Sequence, residues 1–243
     1  LPYPNQRGLW VNFDSPLLWD VFAVSTYATI SSVFFFIGMI PDIAAIRDTV
    51  VGKAKKVFYS VASLGWKGSS WEWGHYTRAY FYFACFATPL VISVHSVVSW
   101  DFAMANTPGW HTTIFPPYFV AGAIFSGLAM VITLCIPLRY IFKLEDYITM
   151  DNFDGMSKMI ILTSSIVFYA YLIEFFIAWY SGNKYEYDQF IYRAVGDYAL
   201  FYWIMMFCNG IVPHLLWFKK IRHNLMILFI ITLLINIGMW FER

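Results

Sequence analysis

Six ionisable side chains stand in or at the ends of long apolar runs, where charge is expensive and its presence calls for chemistry. Asp20 lies one turn into the first run, in Leu17-Leu18-Trp19-Asp20-Val21-Phe22. His95 and Asp101 share the second run, Glu174 interrupts Ile173-Glu174-Phe175-Phe176, and Asp197 and Arg243 close the set. A charged group at membrane depth costs at least ~2.5 kcal/mol on insertion scales, so each is a functional candidate by default. A carboxylate near a histidine is the pair that proton-coupled chemistry needs, because both can exchange a proton near neutral pH. Bland readings stand beside this one. Asp101 and Asp197 could be wet helix ends, and His95, in register with Thr88 and Ser99, could be a packing histidine.

Other chemistries fit poorly. Cys85, Cys135 and Cys208 are far apart within apolar runs, with no CxxC or zinc spacing, and read as small buried hydrophobes. A haem needs two ligands at one depth. His95 and His214 fall in opposite halves of the membrane, and His75, His111 and His223 read as loop residues. No haem or metal is expected on this chain.

The elements that position these residues follow from composition. Of 243 residues, 60% are hydrophobic, 13% are charged and 52 are aromatic (24 Phe, 17 Tyr, 11 Trp). Soluble domains run to about 45–50% apolar and about 25% charged, so lipid must solvate much of this chain. A net charge of +1 offers no field for nucleic acid. Six windows reach the roughly 20 apolar residues that a ~30 Å hydrocarbon core requires of a helix. They are Leu17–Ile40, Tyr80–Asp101, Pro117–Tyr140, Met159–Tyr180, Val195–Phe218 and Leu225–Phe241. The fold class is all-α: a polytopic membrane helix bundle forming one integral membrane domain over residues 1–243. Ser15-Pro16 reads as the first start and Pro41-Asp42 as its stop. Asn106–Gly109 reads as a loop, Ser181-Gly182-Asn183 ends the fourth span, and Pro89 and Pro213 are expected to kink theirs.

Orientation comes from basic residues. Twelve of the sixteen Lys and Arg flank alternate connections: Arg47, Lys53, Lys55, Lys56, Lys67 and Arg78; Arg139, Lys143 and Lys158; Lys219, Lys220 and Arg222. Those connections are expected in the cytoplasm, with both ends outside and the six ionisable groups in the outer third. The long connection over residues 42–79 has Val57, Phe58, Val61 and Leu64 at helical spacing within Ile43–Leu64. It reads equally as an amphipathic helix on the inner leaflet or as a hairpin packed on a partner subunit. The polar–aromatic Leu1–Asp14 has neither the basic start nor the apolar core of a signal peptide, and the chain is expected to be a segment of a longer polypeptide.

Several blocks resemble one family. They are Ser15–Tyr27 with Gly38-Met39-Ile40-Pro41-Asp42, Ser93–Ala103, Pro108–Ala123, Glu174–Gly182 and Asn236–Arg243. Together they are similar to the NrfD-like (polysulfide reductase membrane subunit) family, in particular to its type in bacterial alternative complex III. The resemblance implies about ten membrane helices in two four-helix bundles plus extra helices, so further helices would lie outside this segment. It implies a multi-pass protein of the bacterial inner membrane that oxidises menaquinol near the periplasmic face and holds no redox cofactor itself. Electrons would pass to an iron–sulfur subunit and multihaem cytochromes c, with a homologous NrfD-like subunit and a terminal oxidase as further partners. Asp20 matches the family's quinol-site aspartate, whose histidine partner belongs upstream of Leu1. Pro16, Leu17 and Val21 would line the head-group pocket. Asp101 and Arg243 match proton-route positions, and His95 and Glu174 complete that set. The competing readings are the quinone-linked anchor of a molybdenum reductase and an ion-coupled secondary transporter. A transporter would place its carboxylates near the midplane.

Overall fold

The computed structural model describes residues 16–105 and 112–242. The Ser15 start, the Asn106–Gly109 loop, His111 and Arg243 lie outside the described residues. The elements are α1 Pro16–Thr49, α2 Lys53–Ala62, α3 Ser70–Ala103, α4 Phe115–Ile141, α5 Met150–Tyr180, α6 Lys184–Val195, α7 Ala199–Met206, α8 Lys219–Arg222 and α9 Leu225–Glu242. Between α7 and α8 the backbone forms a π-helical turn, Phe207–Ile211, and a 3-10 helix, Val212–Trp217. No strand occurs among the described residues. Six helical stretches are long and apolar enough to cross a membrane, as the sequence predicts. The protein is an all-α polytopic membrane protein.

Boundaries differ from expectation in instructive ways. Pro41 does not stop the first helix, which runs eight residues further to Thr49. At 34 residues and roughly 1.5 Å each, α1 is about 51 Å long and exceeds a ~30 Å hydrocarbon core. Hydropathy marks only the lipid-soluble part of such a helix, so α3 begins at Ser70 and α5 at Met150, upstream of the expected starts. His75, expected in a loop, lies on α3, and its Nδ1–H donates to the Trp71 carbonyl oxygen (2.8 Å). The amphipathic stretch within Ile43–Leu64 is broken at Gly52, whose φ of +122° favours glycine, leaving α2 as a separate helix. Cys208 is buried as expected, but Cys85 is exposed on α3.

The chain forms two compact units, Leu1–Val98 and Ser99–Arg243. In the first, α2 packs on α1, and α1 meets α3 through aromatic rings. Phe34 and Tyr80 have centroids 4.6 Å apart, and the Tyr76 hydroxyl donates to the Gly38 carbonyl oxygen (3.3 Å). In the second, α4 packs against α5 and α9, and α9 against α7 and the π-turn. Its core holds Phe125, Ala129, Ile132, Phe153, Ile160, Leu216, Leu228 and Ile235, all fully buried. At the basic end of this unit, Arg222 Nε meets Asp154 Oδ1 (2.7 Å), and Arg222 Nη1 donates to the Leu216 (2.8 Å) and Trp217 (3.1 Å) carbonyls. The guanidinium thus satisfies carbonyls that the end of the 3-10 helix leaves open.

Topology is testable by labelling. In a background lacking Cys85, Cys135 and Cys208, cysteines replacing Lys55 and Glu145 are expected to react with a membrane-impermeant reagent from one side, and one replacing Lys184 from the other. Labelling of all three from a single side would refute the six-span arrangement.

Candidate functional site

Asp20 sits one turn into α1, and its Oδ1 is buried without a hydrogen-bond partner among the described residues. A carboxylate oxygen enclosed without a donor is costly unless a ligand or a proton completes it. Pro16 begins this helix, and Leu17 and Val21 are exposed beside Asp20 on α1. In the same unit His95 is half-buried on α3, and its Nδ1–H donates to the Val91 carbonyl oxygen (2.8 Å). That bond orients the ring and leaves Nε2 as the nitrogen able to take a proton. Among the described residues no hydrogen bond joins His95 to Asp20.

Asp101 is half-buried near the C-terminal end of α3, with Oδ1 enclosed. Asp197 behaves as the bland reading has it. It is exposed, and its Oδ2 accepts from the Tyr192 hydroxyl (3.1 Å), a bond that pushes the Tyr192 phenol above its ordinary range.

The second unit contains a cluster that the sequence reading missed. Glu242, at the end of α9, accepts the Tyr118 hydroxyl on Oε1 and the Tyr171 hydroxyl on Oε2 (2.9 Å). Asn209 Nδ2 donates to the same Oε2 (3.2 Å) and to the Tyr171 oxygen (3.1 Å). Helices α4, α5 and α9 and the π-turn thus each contribute one group. Glu174, on α5, lies within electrostatic reach of Glu242 and of Arg193 on α6. Glu174 is thus close enough to the cluster to act electrostatically on Glu242 and Tyr118 within its unit. The sequence signal was present: a carboxylate directly after seventeen residues of apolar α9. Only the fold showed which tyrosines reach it.

The π-turn explains how Asn209 gets there. A π-helical turn inserts an extra residue into the helical ladder and re-aims side chains, and such turns concentrate at functional sites. Asn209 is fully buried, and its Oδ1 packs on Gly238, where a Cβ would stand 2.2 Å from that oxygen. Two further polar contacts lie deeper in the unit. The Asn236 amide donates to Thr133 Oγ1 (3.1 Å), and the Thr133 and Thr232 hydroxyls are 3.0 Å apart. Among the described residues no group of three or more His, Cys, Asp or Glu converges as metal ligands would.

These features define a polytopic α-helical membrane subunit with ionisable groups held inside its helices. A family model described as polysulphide reductase, NrfD, matches residues 9–243, and the chain belongs to that family. Its members are membrane subunits of quinone-linked redox complexes, usually paired with iron–sulfur subunits. No curated protein matches the chain.

Gly238→Ala is expected to drive a methyl group into Asn209 and Cys208 and to destabilise the second unit by about 1–3 kcal/mol, the usual cost of overpacking. Gly127→Ala on α4, where a Cβ meets open space, should leave the thermal midpoint of the detergent-solubilised protein unchanged. Equal midpoints for the two variants would contradict the packing described for Gly238.

Proposed function

We propose that this chain is the quinol-oxidising membrane subunit of a respiratory quinol:electron acceptor oxidoreductase of the alternative complex III type, in a bacterial inner membrane. Menaquinol binds near the periplasmic face, against Asp20 and the Pro16–Val21 turn. The observation that carries this reading is the buried Asp20 Oδ1 on the first turns of α1, which has no partner among the described residues. Family membership supports the quinone-linked class.

Oxidation of a quinol to a quinone releases two electrons and two protons. Asp20 accepts a hydroxyl proton as the electrons leave, which prevents accumulation of a charged, high-energy quinol cation. The electrons pass to an iron–sulfur partner subunit and onward to multihaem cytochromes c. A homologous NrfD-like subunit and a terminal oxidase complete the expected assembly.

We assign proton release to His95, Asp101, Glu174 and Arg243. By chain position each lies in the half of its span opposite the lysine-rich connections, and the rule for basic residues puts that half toward the outside. His95 offers Nε2 as a relay atom. Glu174 stands where Arg193 and Glu242 act on its charge.

Two substitutions test the assignment. Asp20→Asn keeps the shape and removes the base, so quinol oxidation by the intact complex is expected to fall about 10²-fold or more. Turnover at the wild-type rate would rule out Asp20 as the proton acceptor. Asp101→Asn, in reconstituted complex, is expected to slow electron transfer and proton release to the outside with assembly unchanged. If both rates stay normal, Asp101 is a hydrated helix end.

A further inference from the structure

Helix α2 is built inside out for a soluble hairpin. Its polar edge faces its own chain. Ser63, just past its end, is fully buried, and Tyr59 and Ser60 are half-buried. Arg47 of α1 secures that edge, with Nη1 donating to Ser63 Oγ (3.3 Å) and to the Trp66 carbonyl oxygen (2.8 Å). The apolar stripe points the other way: Val57, Phe58 and Val61 are 64%, 67% and 71% exposed, and no residue of α2 is buried. A hairpin folded in water would turn that stripe onto α1 instead. The stripe must therefore meet another apolar medium.

Two observations identify it. Lys53, Lys55 and Lys56 are all exposed in the first turn of α2, which contains no acidic residue. Lys53 and Lys55 flank the apolar stripe as the cationic rim of an interfacial helix does, whereas Lys56 lies on the polar edge, where it interacts with Asp48 of α1. The helix is also joined by a short connection to an aromatic cluster at the start of α3. Trp66 lies 5.3 Å from Trp73 and 5.7 Å from Tyr76 between ring centroids, and Trp71 is exposed beside them. Tryptophan and tyrosine gather where acyl chains give way to headgroups.

We infer that α2 is an interfacial anchor that seats its Val57–Phe58–Val61 stripe among acyl chains and binds anionic phospholipid headgroups through Lys53 and Lys55. The inference stands apart from the quinol reading, since it uses no residue of that site. Lipid, rather than a partner subunit, then receives the apolar side of this connection. Long aliphatic lysine stems let the ammonium groups reach phosphates while the stripe stays in the acyl region.

The test uses the whole protein in nanodiscs of phosphatidylcholine, with or without phosphatidylglycerol. A spin label on Val61→Cys reports oxygen access from lipid and access of a water-soluble nickel chelate, and one on Ser60→Cys serves as the polar-edge control. The background lacks the three native cysteines. At position 61 the label should be reached by oxygen and shielded from the chelate, and phosphatidylglycerol should deepen it. Changing Lys53 and Lys55 to Gln should abolish that deepening while leaving the protein folded and helical. Free access of the chelate at position 61 would overturn the anchor outright. Shielding from both probes would mean that a protein partner or a second copy covers the stripe, and would also overturn it. A label equally deep in both lipids, and unmoved by the Lys→Gln changes, would overturn the anionic headgroup assignment.

Discussion

An amide N–H or carbonyl left unpaired in hydrocarbon costs several kcal/mol, and this single constraint organises the protein. Helices satisfy it locally, so the apolar runs become helices with no strand among the described residues. The exception is the stretch from Phe207 to Trp217, where π and 3-10 geometry replace the regular ladder. Such backbone survives at membrane depth only where protein surrounds it. Here Cys208, Asn209, Gly210, Val212, Pro213 and Leu216 are all buried, and Arg222 takes up the carbonyls of Leu216 and Trp217.

That irregularity joins fold to chemistry. By re-aiming Asn209, the π-turn adds an amide donor to a carboxylate already held by two tyrosines. Donors from Tyr118, Tyr171 and Asn209 occupy carboxylate lone pairs that would be costly to leave unpaired in a low-dielectric site. Gly238 permits the approach by leaving room where a Cβ could not fit. The group is thus a joint between four elements as well as an ionisable site. Asp20 contrasts with it: its enclosed Oδ1 has no hydrogen-bond partner among the described residues.

The two units bury their side chains to very different extents. In the second, α4, α5 and α9 share a core whose central residues have no exposed surface. In the first, the described parts of α1 and α3 bury few side chains and expose many large apolar ones, among them Phe35, Phe81 and Phe86. Lipid solvates such surfaces without cost, and neighbouring subunits can cover them. The inverted burial of α2 belongs to the same logic, with the medium rather than the protein core receiving the apolar side.

The sequence alone determined the membrane class, the six spans and the presence of carboxylates at Asp20, Asp101 and Glu174, because lipid imposes length and apolarity on every spanning helix. Blocks of residues such as Ser15–Tyr27 and Pro108–Ala123 also carried the family resemblance. It did not determine where helices end in water: α1 passes through Pro41, and α3 and α5 begin upstream of their apolar cores, since the hydropathy signal stops at the headgroups. Nor could it pair Glu242 with Tyr118, Tyr171 and Asn209, groups separated by 124, 71 and 33 positions in the chain. Such contacts depend on how helices rotate and on a π-turn that no periodicity announces. Only tertiary packing chooses the rotation, and the rotation decides which polar groups meet.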